Sequence, residues 1–257
     1  SELSYGGISA LNYAFVVFSL PISLFSIPLV TTLFSKLSLT PDKLFDDIRN
    51  AYGMVFYIML PVTFLFYFWG DLIFILFYEG GKFTSSNTIA TFSVLKYYSF
   101  GLVFISIYHL FVKMFYSIKK YNYVLIISVS AIMVKIVLSA LLVNTYKEDG
   151  LALSTTLLYV FLMVFAIIVN IFELKLLNII AFIRKITIIL ANLLITYLIT
   201  HLFYELVQLN DFGGRIISVI LFITLFYITA YLLNESEIII IKRTFTNLVK
   251  INREKLI

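Results

Sequence analysis

The chain contains no cysteine, which excludes disulfides, thiolate nucleophiles and cysteine-bound metal. It has only two histidines, His109 and His201, and no HExxH or comparable ligand spacing, so metal-assisted hydrolysis has no candidate donor set. No glycine-rich run fit to cradle a phosphate occurs. Charge is scarce as well: 13% of residues are charged against 61% hydrophobic, and the mean hydropathy is +1.03. A water-soluble domain cannot hide that much apolar surface, so the chain reads as an integral membrane protein. Neither a catalytic centre, a cofactor nor a nucleic-acid partner is expected. The formal charge of +5 has to be read against the loop-charge rule before it is taken as a sign of an anionic ligand.

What the chain does have is apolar length. Seven segments, at 7–35, 48–78, 88–118, 123–145, 150–172, 186–206 and 216–233, are each long enough to cross a bilayer, which takes about 20 residues at ~1.5 Å each. The expected fold is therefore all-α, a polytopic membrane protein with seven transmembrane helices. Pro21 and Pro28 in the first segment and Pro61 in the second remove helical hydrogen bonds and predict bends. The fourth segment carries Lys135 near its middle, roughly 15 Å from either end at ~1.5 Å per residue. An ionisable group at that depth costs roughly 2.5 to 3.5 kcal/mol to insert, so it faces a partner or a hydrated cavity rather than lipid. The bland alternative is a lysine that snorkels or is paired for packing alone.

Loop charge sets the orientation. With the connections 36–50, 119–122 and 173–185 and the tail on one side, thirteen Lys and Arg lie there, against Lys82, Lys147 and Arg215 on the other. Lys96, Lys113 and Lys135 fall within the segments. This bias places the C-terminus in the cytoplasm and residue 1 outside, an arrangement that calls for a preceding spanning part. Residues 235–257 mix an apolar run with basic side chains, as suits a helix lying on an anionic inner leaflet.

Four stretches in order resemble the lipid II flippase (MurJ) family: GGISALNYAFVVFSLPISLFSIPLVTTLFSKLS from Gly6, YEGGKFTSSNTIAT from Tyr78, YYSFGL from Tyr97 with FYS from Phe115, and DGLALSTTL from Asp149. The resemblance implies the following. The chain corresponds to helices eight to fourteen of a fourteen-helix flippase. Residues 1–175 are a partial C-terminal lobe of five helices, 176–234 the two additional helices and 235–257 a basic cytoplasmic tail. The activity is movement of undecaprenyl-pyrophosphate-linked peptidoglycan precursor across the bacterial inner membrane, with an N-terminal lobe as the missing partner. Ser9 and Asn12 match cavity-facing positions, whereas Val16 stands where the family has arginine. Lys135, Ser139 and Thr155 fall where some members hold a sodium ion, so the ammonium of Lys135 is expected to act as a tethered cation in its place.

His109 and Lys113, four apart, share a helix face. His109 and Lys135 lie at similar depth on consecutive helices and are expected to meet, which places Ser9, Asn12, His109, Lys113 and Lys135 on a substrate pathway. Lys113 and Lys96 can also snorkel. Asn170 and Glu173 are expected to cap the fifth segment in water, and Tyr97, Tyr98, Tyr204 and Phe212 to anchor the membrane interfaces. Two other functions remain open: export of another lipid-linked oligosaccharide, which the loss of arginine at Val16 would suit, and a non-transporting scaffold that recruits cell-wall enzymes.

Overall fold

The computed structural model describes residues 3, 6–37, 44–174, 178–207 and 212–233, with backbone alone at 33–37, 44–47, 49 and 173–174. The basic tail, the 38–43 loop and the side chain of Glu173 therefore lie outside the described residues, as does the expectation for each of them. Among the described residues the chain is helical, broken by short turns and one bridge between Gly80 and Phe83.

The first apolar segment comprises α1 (Gly7–Pro21), one π-helical turn (Ile22–Ser26) and α2 (Ile27–Leu37). Pro21 has no N–H to donate to the preceding turn, and the chain widens by one residue per turn immediately after it. The bend expected at Pro21 thus takes the form of a π-turn. By contrast, α3 (Leu44–Trp69) carries Pro61 inside a continuous helix. It stops at Gly70, and the short α4 (Asp71–Phe77) follows.

The third segment is α5 (Ser85–Ser99) and α6 (Gly101–Ser117), bent by 40° where they meet and, taken together, long and apolar enough for one crossing. A side chain at Gly101 would place a Cβ 2.9 Å from Tyr159 Cδ2 and 3.1 Å from Thr156 Oγ1, so glycine is what lets the bend close on its neighbour.

The fourth and fifth segments appear as one element, α7 (Tyr121–Val169), interrupted at Lys147 by a backbone of φ 50°, ψ −126°. Three observations show that α7 folds back there. The non-helical residue breaks the axis. A Cβ on Gly150 would collide with the Leu142 carbonyl. Finally, Lys135 bonds residues 16 to 20 positions further on, which a straight helix would hold roughly 24 to 30 Å away at ~1.5 Å per residue. A last pair among the described residues is α8 (Ile179–Val207) and α9 (Phe212–Leu232). Among the described residues five helices are long and apolar enough to cross a membrane, or six when the bent α5–α6 pair is counted as one crossing, with the folded-back α7 counted once.

The bundle is organised around α6, which is apolar on nearly every side and is wrapped by α2, α3 and α7. Lipid tails are as apolar as leucine, so packing and hydrogen bonds, not hydrophobic transfer, hold such helices together. The final pair docks on α3 through aromatic rings: Tyr52 and Phe56 close on Phe182 at 5.0 and 5.3 Å, Phe68 stacks on Tyr197 at 4.2 Å, and Trp69 meets Phe222 at 5.5 Å. An ion pair joins α9 to α4 at one end of the bundle, where Arg215 Nη2 donates to both Asp71 carboxylate oxygens at 2.7 and 2.6 Å.

Two expectations fail here. Tyr98 is not an interface anchor; it is 6% exposed and stacks on Phe18 at 5.3 Å, because its face of α5 is the one that α1 covers. Asn170 does not cap in water either. It is fully buried, and its Nδ2 donates to Met114 Sδ at 3.3 Å.

Candidate functional site

Lys135 sits on the first limb of α7 and reaches across the fold to the second. Its Nζ donates to Ser154 Oγ and Thr155 Oγ1, each at 2.7 Å, and more weakly to the Leu151 carbonyl at 3.4 Å. An ammonium has three N–H donors and no acceptor, so this set matches its capacity. All three acceptors are neutral.

The hydroxyl protons can be placed by counting. Ser154 and Thr155 each donate to the Leu151 carbonyl, at 2.8 and 2.9 Å. Their oxygens are thereby left to accept from the lysine. Ser139 lies 3.2 Å from Ser154, and since the Ser154 proton is committed, Ser139 is the donor. The next residue, Thr156, donates to the Tyr97 carbonyl at 2.6 Å. The second limb is therefore tied to both the lysine and α5.

Of the residues singled out in the sequence, Lys135, Ser139 and Thr155 come together. Ser154 was missed, though it bonds Lys135, Ser139 and the Leu151 carbonyl; its signal was the run Ser154-Thr155-Thr156, in which hydroxyls sit on adjacent helical faces. The meeting of His109 with Lys135 does not occur. His109 Nδ1 is buried with no hydrogen-bond partner, and every short contact of the lysine is to α7 itself. Similar depth fixes only the position along the axis, and the packing of α6 turns the imidazole elsewhere. Lys113, one turn from His109, makes no ion pair among the described residues. Lys96 lies over the Phe92 ring at 4.3 Å, a cation–π contact.

On α1, Ser9, Asn12 and Val16 are all exposed along one face. Ser9 lines a cavity of about 210 Å³ with Tyr13, Asn87, Thr91 and Glu148, between α1, α5 and the α7 turn. The first limb of α7 is similarly uncovered, with only Ile127 and Ala131 buried. The half-buried cation thus lies on a largely uncovered limb of α7.

The lipid II flippase MurJ family model matches residues 1–228. A probable lipid II flippase MurJ of Borreliella burgdorferi is 33% identical over 162 residues, 61% of this chain and 32% of that protein. The corresponding protein of Buchnera aphidicola subsp. Schizaphis graminum is 27% identical over 164 residues, 61% of this chain and 32% of its own length. The solved structure of a lipid II flippase MurJ in an inward closed conformation superposes with a TM-score of 0.69 at 25% identity, covering 90% of this chain and 49% of that one. The chain thus spans about a third of the curated relatives and about half of the solved structure. With its all-helical multi-pass membrane fold and a family match over most of its length, this chain belongs to the lipid II flippase MurJ family.

Proposed function

We propose that this chain supplies the second half of a flippase that carries a lipid-linked peptidoglycan precursor across the bacterial inner membrane, together with polypeptide corresponding to the first half of the solved relative. The observation that carries the reading is Lys135: a mid-membrane ammonium held only by neutral oxygens, on a limb of α7 where, among the described residues, only Ile127 and Ala131 are buried. A cation so placed favours the passage of a pyrophosphate headgroup. Seven crossings follow when the two limbs of α7 are counted separately, and the loop charges put the C-terminus in the cytoplasm. The first five crossings form the partial lobe and the final pair flanks it.

Within this reading the ammonium does the work of a bound cation, occupying the space among Ser139, Ser154, Thr155 and the Leu151 carbonyl. Another cation there would meet its charge at close range. Transport should therefore be indifferent to sodium. The test is translocation of labelled precursor by the full-length protein in vesicles, with sodium replaced by choline. Equal rates support the tethered cation, sodium-dependent rates overturn it, and no translocation of the precursor in either medium overturns the flippase reading.

A further inference from the structure

At the end of the bundle where α3 stops and α9 begins, a cavity of about 200 Å³ opens between α3, α8 and α9. It shares no lining residue with the Lys135 cluster. Phe68 and Trp69 wall it from α3, Tyr197, His201 and Tyr204 from α8, and Arg215 from α9. Arg215 is held by Asp71 through Nη2 alone, and its Nε and Nη1 donors have no partner among the described residues. The indole N–H of Trp69 and the hydroxyls of Tyr197 and Tyr204 are in the same position. His201 Nδ1 lies 3.6 Å from Glu205, the acidic group at the rim. Thr200 and Ser218, which also line the cavity, donate to carbonyls of their own helices and present only oxygen. The walls are thus rich in uncommitted donors, and the guanidinium among them is already positioned.

The depth is that of lipid headgroups. Arg215 lies three residues into α9 and Tyr204 three residues before the end of α8, about one helical turn or ~5 Å from the ends of the crossings. Below it, Leu198 and Leu202 on α8 and Ile217 and Ile220 on α9 are exposed and offer a surface for acyl chains. We propose that this cavity binds the phosphate of a membrane phospholipid, Arg215 Nε and Nη1 and the Trp69 indole donating to its oxygens while the acyl chains run along α8 and α9. The bound lipid would fasten the final pair to α3 at the headgroup level. The site stands independently of the flippase reading.

Asp71 supplies the discriminating experiment. If the Asp71–Arg215 pair serves only to tie two helices, removing either partner has the same effect. If Arg215 serves a phosphate, Asp71 competes with that phosphate, and the two substitutions act in opposite directions. Binding is measured on the full-length protein in detergent by native mass spectrometry, titrating phosphatidylglycerol, diacylglycerol or inorganic phosphate. Expected are saturable binding of phosphatidylglycerol but not of diacylglycerol, weakening by about tenfold or more in Arg215→Gln as a charge-assisted bond is lost, and unchanged or tighter binding in Asp71→Asn. Trp69→Phe, which keeps the ring and removes one donor, should weaken binding a few-fold and keeps the test readable if Arg215→Gln does not fold. Diacylglycerol binding as well as phosphatidylglycerol, equal losses in Arg215→Gln and Asp71→Asn, or full displacement of the lipid by millimolar inorganic phosphate would each overturn the proposal.

Discussion

Two polar clusters lie deep between helices of this protein, and they are built differently. In the final pair, Asn192 on α8 donates through Nδ2 to the Phe226 carbonyl at 3.3 Å and accepts from Thr229 Oγ1 at 2.7 Å. That cluster is neutral, and Asn192 is 5% exposed. In α7, Lys135 is charged, half-buried and beside an uncovered face. Asparagine and threonine between two helices act as glue, each such bond contributing about 0.6 kcal/mol on average in lipid. A lysine in the same role would insert more cheaply as a methionine. The contrast is between a neutral cluster that joins two helices and a charged one on a limb left largely uncovered among the described residues.

Four substitutions can break or sharpen this contrast. The largest effect is expected from Lys135→Met, which keeps most of the side-chain volume and removes the charge. Translocation by the full-length protein should fall by about two orders of magnitude while thermal stability stays within ~0.5 kcal/mol, because Ser154 and Thr155 keep their bonds to the Leu151 carbonyl. Full transport by this variant would make the lysine structural. Asn192→Leu should do the reverse, lowering stability by about 1 to 2 kcal/mol through two lost interhelical bonds while the folded fraction transports normally; a melting curve paired with a flux assay reads both. Ser154→Ala is expected to cost about 0.6 kcal/mol and to lower flux only a few-fold, since Thr155 and Leu151 still hold the ammonium. If flux vanished, Ser154 itself would have to touch the substrate. His109→Phe comes last. Replacing a buried imidazole whose Nδ1 has no partner should leave stability unchanged or slightly raised, and a variant that folds but no longer transports would return His109 to the pathway.

Much of this was legible in the sequence, and the parts that were not have identifiable causes. Apolar length gave the helices, because a bilayer imposes a minimum span on any chain that crosses it. The grouping of Lys135, Ser139 and Thr155 came from the family resemblance, and the fold-back at Lys147 realises it. The Lys135–His109 contact failed because depth along a helix says nothing about which way a side chain is turned. Tyr98 and Asn170 were misjudged for a related reason: an amphipathic side chain near a helix end can serve an interface or a core, and only the neighbouring helix decides. The Asp71–Arg215 pair, 144 residues apart, and the Asn192–Thr229 bond depend on how the final pair docks, which no local pattern encodes.

Gly101 has one more implication. Methyl-sized growth at that position would have to push the Tyr159 ring aside and strain the Thr156 link to the Tyr97 carbonyl, and Thr156 directly follows the Thr155 that holds Lys135. Cells depending on a Gly101→Ala protein should consequently grow when cool and fail when warmed, and among second-site revertants a trimmed residue 159 should recur.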